Sequence, residues 1–160
     1  MNERTWWAAR VKPAWHQPLK GWIAWKLQDH AFKGFPDVLV NAKGRIALVE
    51  LKYEFTEPTA GTIMFVEPPV KPSGKGLTVE QRNHLQQWQD TGGWSFGFFG
   101  VARRGWLISL EAINPEGMTT NYMLQVASVY CDGYDQFKTV MQFLQRIETN
   151  AIDKTRSPVG

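Results

Sequence analysis

A short polar turn between two β-branched runs constrains this chain more than any other feature. Val38-Leu39-Val40 and Ile46-Ala47-Leu48-Val49 are of strand length, and Asn41-Ala42-Lys43-Gly44 between them carries a glycine after lysine, a hairpin turn signal. The two runs are therefore expected to pair antiparallel. Successive side chains of a strand point to opposite faces, so Ile46, Leu48, Glu50 and Lys52 share one face and Ala47, Val49, Leu51 and Tyr53 the other. Both faces are apolar until the C-terminal end, the pattern of a strand buried on both sides with its polar groups where burial stops. Asp37 opens the first run, which the hairpin sets opposite the end of the second. The pattern gathers Asp37, Glu50 and Lys52 at one end of a sheet.

Two adjacent carboxylates repel each other and are costly to bury. A hard divalent cation between them resolves the conflict, and Mg²⁺ favours one or two carboxylates with water and phosphate oxygens. A metal so placed polarises a phosphoryl oxygen and activates water, and a nearby lysine steadies developing negative charge. The competing reading is plainer: Glu50 and Lys52 as a solvated strand end, and Asp37 as the cap of a turn after Pro36.

Taken whole, Gly34-Phe35-Pro36-Asp37, a short turn and apolar residues leading to Glu50-Leu51-Lys52 resemble the core signature of the PD-(D/E)xK nuclease superfamily. With a glutamine-bearing helix downstream, the pattern looks most like the branch holding archaeal-type Holliday junction resolvases, VRR-NUC domains and small phage endonucleases. The resemblance implies an α/β fold with a restriction-endonuclease-like core, a central mixed β-sheet flanked by helices in the order αβββαβ. It implies Mg²⁺, with Mn²⁺ as substitute, held by Asp37, Glu50 and the backbone carbonyl of Leu51, with Lys52 as the catalytic lysine. Gln81, at the start of the downstream helix, would point at the metal. Relatives carry a glutamate on a first helix; here Glu3 is the one acid before Asp29, with His16 and Gln17 nearer the expected position, and whether Glu3 or nothing fills the role stays open.

The chain has 160 residues, 43% hydrophobic and 21% charged, which suits a folded domain with a real core. A single cysteine, Cys131, excludes an intrachain disulfide and fits a reducing cytoplasm. No apolar run approaches the ~20 residues that span a bilayer. Lys and Arg exceed Asp and Glu by 18 to 15, a net charge of +3 that suits a polyanionic partner. Trp6, Trp7, Trp15, Trp22 and Trp25 lie among Arg4, Arg10, Lys12, Lys20 and Lys26. Such interleaving suits base stacking beside phosphate contacts, although core packing is the commoner use of an indole.

Taken in order, Pro13 and Pro18 argue against a long N-terminal helix, leaving short helical pieces over about 3–11 and a turn over 13–20. Residues 22–27 read as a strand before the hairpin. Lys26, His30 and Lys33 are candidate nucleic-acid contacts near Asp37. A Pro/Gly-rich stretch, about 54–76, reads as a mobile insertion with a short strand at 62–66, and Lys71 and Lys75 as further nucleic-acid contacts. Thr78 and Gln81 form a capping box opening a helix to about Asp90, which by itself would account for Gln81. Glycines 92 and 93 end it, and 94–101 and 106–110 read as strands around an Arg103-Arg104-Gly105 turn. Residues 122–129 are ambiguous between strand and helix. A C-terminal amphipathic helix is expected over about 133–148, and a disordered tail over 150–160. The expected organisation is a single domain over 1–149 with its core at about 13–110.

The function expected from these features is metal-dependent hydrolysis of DNA, structure-selective for branched DNA or Holliday junctions, by a cytoplasmic homodimer, in a host cytoplasm if the gene is viral. The alternatives are a nuclease of general or flap specificity, a non-catalytic DNA-binding domain of degenerate nuclease fold, and a protein-interaction module presenting the tryptophan-rich N-terminus.

Overall fold

The computed structural model describes residues 1–27 and 36–147. Its helices are α1 (Glu3–Trp6), α2 (Lys12–Trp15), α3 (Val79–Asp90), α4 (Thr120–Val126) and α5 (Lys138–Arg146). Its strands are β1 (Trp22–Lys26), β2 (Val38–Ala42), β3 (Arg45–Glu54), β4 (Trp94–Val101), β5 (Arg104–Ser109) and β6 (Val129–Asp132). Lys43 and Gly44 turn the β2–β3 hairpin with φ of 54° and 92°, the left-handed pair that matches the twist of the flanking strands. The register follows from that turn: Ala42 faces Arg45 and Val38 faces Val49.

The six strands form one mixed sheet in the order β1-β2-β3-β4-β5-β6. Only β3 and β4 run parallel, because helix α3 carries the chain back across the sheet between them. Helices flank both faces, and the αβββαβ order stands over Glu3–Val101. One face packs Val49 and Leu51 against Trp6, Trp7 and Trp15 from the N-terminal helices and Val140, Met141 and Leu144 from α5. The other packs Leu48, Phe99 and Trp106 against Leu85 of α3 and Met123 of α4. Double coverage explains why β3 is apolar on both sides: Ala47 through Leu51 are buried, and burial relaxes at Lys52.

The N-terminus departs from expectation. Instead of separate pieces broken by proline, helical backbone runs unbroken from Glu3 to Trp15, with a π-helical segment at Trp7–Val11 between α1 and α2. Pro13 lacks the N–H that would donate back into this run, and it sits in the first turn of α2, directly after the wider π-helical segment. Four of the five N-terminal tryptophans are buried core residues, and Trp25 alone of them is exposed, at 58%.

Three further elements differ from expectation. Ala102 and Arg103 make the β4–β5 turn, so Arg104 and Gly105 belong to β5. The ambiguous stretch resolves into helix α4 and a short edge strand, β6. The C-terminal helix covers Lys138–Arg146 after a 3₁₀ turn at Tyr134–Gln136, and position 148 and the tail lie outside the described residues.

The stretch about 54–76 forms no strand at 62–66, only an isolated bridge in which Met64 and Met118 exchange backbone hydrogen bonds at 2.9 and 2.8 Å. It is tied down elsewhere. Met64, Phe65 and Leu77 enter the second core, and Gly76 donates to the Val66 carbonyl at 2.9 Å. A side chain on Gly76 would meet the Phe65 carbonyl at 2.1 Å, so this closure needs glycine. Glu67, 4% exposed, accepts from Arg82 Nε of α3 at 2.8 Å, and Arg82 also donates to the Ile113 carbonyl at 2.8 Å.

Removing the cation from this pair leaves a buried carboxylate without a partner. Arg82→Met is expected to cost about 2–3 kcal/mol in urea unfolding, and to expose residues 54–76 to limited proteolysis. An unchanged unfolding midpoint would show that the ion pair does not hold the segment.

Candidate active site

The hairpin places Asp37 one position before β2 and Glu50 opposite it on β3. Two backbone hydrogen bonds interlock the carboxylates: the Asp37 N–H donates to Glu50 Oε2 at 3.1 Å, and the Leu51 N–H donates to Asp37 Oδ2 at 3.0 Å. Each carboxylate thereby has one oxygen fixed by backbone and one turned to a lysine. Lys26 Nζ lies 3.4 Å from Asp37 Oδ1, and Lys52 Nζ lies 3.9 Å from Glu50 Oε1. Both ammonium contacts are loose, and the Lys52 contact exceeds hydrogen-bond reach. Lys26 is steered from the other side by Trp7, whose ring centroid is 5.6 Å from Nζ.

Burial and the neighbouring carboxylate set the electrostatics of the cluster. Glu50, 1% exposed, has its carboxyl pushed well above the ordinary 4.5, first by burial and then by the Asp37 charge and hydrogen bonding with Asp37; Lys52 offsets part of this. Glu3 is raised too, by burial and then by Asp37, with Lys52 and Lys26 pulling the other way. The Glu3 carboxylate therefore lies within electrostatic reach of Asp37, Glu50, Lys26 and Lys52. Its distance along the chain from Asp37 hid this. The available signal was spacing, because Glu3 precedes the buried Trp6 and Trp7 by three and four residues and so shares their helix face.

The donor set fits a hard cation. Among the described residues, Asp37 Oδ1 and Glu50 Oε1 are met by loosely placed ammonium groups and by no sulfur or imidazole, and two carboxylates completed by carbonyl and water are what Mg²⁺ or Mn²⁺ takes. Among the described residues, no group of three or more Asp, Glu, His or Cys side chains stands ready to hold a metal. The arrangement is a two-carboxylate site with Glu3 in its outer field.

The other candidates are placed as follows. Gln81 Oε1 accepts from the Thr78 N–H at 2.9 Å while Thr78 Oγ1 accepts from the Gln81 N–H at 3.1 Å, so its hydrogen bonds close the helix cap and none joins it to Asp37 or Glu50. His16 Nδ1 lies 3.2 Å from both the N–H and the carbonyl of Ala24, occupied by the backbone of β1. Lys26 belongs to the carboxylate cluster rather than to an open surface. His30 and Lys33 lie outside the described residues. Lys71 and Lys75 are exposed and line a groove of about 320 Å³ with Thr56, Thr62 and Ser73. Lys75 Nζ reaches Glu54 Oε2 at 3.6 Å, and Glu54 continues the β3 face of Glu50 and Lys52, so the groove adjoins the cluster.

A carboxyl whose value is raised on folding stabilises the protein below its ordinary 4.5 and loses that contribution as pH rises through the raised value. In EDTA, thermal stability should fall as pH is raised from about 4.5 toward neutrality. Glu50→Gln, which keeps an acceptor for the Asp37 N–H, should flatten that fall and raise stability at pH 7 by about 1 kcal/mol, roughly 3 °C in midpoint. Superimposable pH profiles for the two proteins would contradict this account of the cluster.

No protein-family model matches the chain, and no curated protein matches it. Among solved structures, the chain is similar to Hjc, a Holliday junction resolvase from the archaeal hyperthermophile Archaeoglobus fulgidus, at 12% identity over 67% of this chain and 82% of that one, with a TM-score of 0.45. A likeness this loose carries neither family nor activity, and the functional reading rests on the site's own geometry.

Proposed function

We propose that this protein is a divalent-metal-dependent endonuclease that hydrolyses DNA phosphodiester bonds, with branched DNA such as four-way junctions as its preferred substrate. The observation that carries the reading is the interlocked pair Asp37 and Glu50, two carboxylates held together at one end of a doubly covered sheet, one of them almost wholly buried and each met only loosely by a lysine. A fold retains such a cost where the charge serves a site, and a buried carboxylate raised by desolvation and a like neighbour marks one.

In this reading Asp37, Glu50 and the Leu51 carbonyl hold Mg²⁺, with Mn²⁺ as substitute. When bound, the ion supplies Lewis acidity toward a phosphoryl oxygen and acidifies water. The chain's own groups do the rest. The Leu51 N–H fixes the Asp37 carboxylate, and the Asp37 N–H fixes that of Glu50, so neither reorganises during turnover. Lys52, whose side chain is 13% exposed, holds its ammonium beside the reacting phosphate, where it orients water or offsets charge developing on the phosphoryl oxygens. Lys26 lies against Asp37 Oδ1 at 3.4 Å as its ion-pair partner, and Glu3 would add a carboxylate to the outer field as a proton acceptor. Lys71 and Lys75 are assigned to the nucleic-acid backbone along the adjoining groove, and His30 and Lys33, which lie outside the described residues, to the same task. Gln81 is assigned to the helix cap first. Paired incisions across a junction call for two active sites related by a two-fold axis, hence a homodimer.

The test uses labelled four-way junction, linear duplex and single strand, each with Mg²⁺ and with EDTA. Metal-dependent cutting is expected, strongest on the junction with nicks paired across it. Asp37→Asn should reduce it by about 10³-fold or more, and Lys52→Met by about 10²-fold with metal affinity retained. DNA left intact in both Mg²⁺ and Mn²⁺, with binding equal in parent and Asp37→Asn, would replace the catalytic reading with a non-catalytic DNA-binding one.

A further inference from the structure

The β4–β5 hairpin carries an arrangement that neither the cores nor the carboxylate site requires. Ala102 in its turn has φ of +53°, a left-handed conformation that a residue with a Cβ seldom adopts. Two phenols pin it, since the hydroxyls of Tyr53, on β3, and Tyr134, from the 3₁₀ turn, both donate to the Ala102 carbonyl at 3.2 Å. Burial, and then the Tyr134 beside it, push Tyr53 up to about 12, so its hydroxyl remains a donor. The turn so held presents Arg103, whose guanidinium carbon stands 5.5 Å from the centroid of the Tyr134 ring. Arg10, from the π-helical segment, stands 4.3 Å from the same centroid.

Two guanidiniums thus converge on one phenol from elements distant in sequence, and both arginines are exposed. Among the described residues, no carboxylate forms an ion pair with either, whereas Arg82 and Arg104 each have a glutamate. A guanidinium stacked on an aromatic face keeps its N–H edge free, and that edge matches the oxygens of a phosphodiester.

We propose that Arg10 and Arg103, stacked on Tyr134, form a contact for the phosphodiester backbone of the nucleic acid engaged at the carboxylate site. The inference rests on the nuclease reading for its substrate class. The pair stands at the end of the sheet toward which the carboxylates lie, because the Ala102 N–H donates to the carbonyl of Glu54, the last residue of β3, at 3.0 Å, while Tyr53 and Tyr134 belong to the face opposite that of Glu50 and Lys52. A nucleic-acid backbone that rounds this end of the sheet would pass from the carboxylates on one face to the arginine pair on the other.

The test is equilibrium binding of a labelled four-way junction and a linear duplex across a salt series, in EDTA, with Asp37→Asn as the non-cutting background. Adding Arg10→Gln and Arg103→Gln together should lower the slope of log affinity against log salt by about one to two, since each lost phosphate contact removes about 0.9. Affinity at 0.1 M salt should fall about tenfold on both DNAs, with an unchanged thermal midpoint. Arg146→Gln, which removes one positive charge rather than two, in the last turn of α5, should leave slope and affinity near the background. A slope unmoved by the double change, or moved no more than by Arg146→Gln, overturns the contact. If Asp37-dependent cutting is observed and the slope does not move, the contact fails alone. If nothing is cut yet the slope falls as expected, the contact stands and the catalytic reading fails; no binding of either DNA overturns both.

Discussion

Asp37 and Glu50 hold each other through the main chain, and the rest of the site follows from that interlock. The N–H of one residue fixes the carboxylate of the other, and the Leu51 N–H returns the favour to Asp37. Both bonds exist only if β2 and β3 pair in the observed register, with Val38 facing Val49. A one-residue slip would move Glu50 and Lys52 to the opposite face and separate the carboxylates. The Lys43-Gly44 turn, whose backbone only certain residues tolerate, is therefore as much a determinant of the site as the charged groups themselves.

Burial then turns geometry into electrostatics. The N-terminal helices and α5 cover one side of β3 and α3 covers the other, so the Glu50 carboxylate lies almost wholly out of water and its neighbours act with little screening. Two lysines approach the cluster without closing on it, at 3.4 and 3.9 Å. Loose ammonium contacts around rigid carboxylates leave oxygens available to a cation that brings more charge than either lysine. The same helical run that buries β3 carries Glu3 into this field at one end and Arg10 toward the β4–β5 turn at its π-helical segment, so one element lies beside the carboxylates and along the protein surface away from them.

Much of this was legible in the sequence, for local reasons. The period-two pattern of β3, the Lys-Gly turn and the capping box at Thr78 each encode their structure within a few residues, and each forms in the expected place. The face shared by Leu48, Glu50 and Lys52 follows from the same short range. What escaped was non-local. Glu3 approaches Asp37 because Trp6 and Trp7 dock on the sheet, and no spacing between positions 3 and 37 announces it. Pro13 looked like a break because a proline's cost depends on which turn it occupies, and a π-helical segment before it is not written in hydrophobic periodicity. Gln81 shows the converse: one residue satisfied both a local rule and a family expectation, and its hydrogen bonds follow the local rule.

The central claim, that the interlocked carboxylates form a divalent-cation site, is tested most directly by titrating Mn²⁺ into the DNA-free protein and recording binding heat together with the thermal midpoint. The account predicts a saturable binding event in the parent, accompanied by a rise in midpoint as bound metal stabilises the folded state. Asp37→Asn and Glu50→Gln should each abolish both, although the folded variants are at least as stable as the parent without metal. A parent that takes up no metal, or variants that bind it as the parent does, would contradict the account.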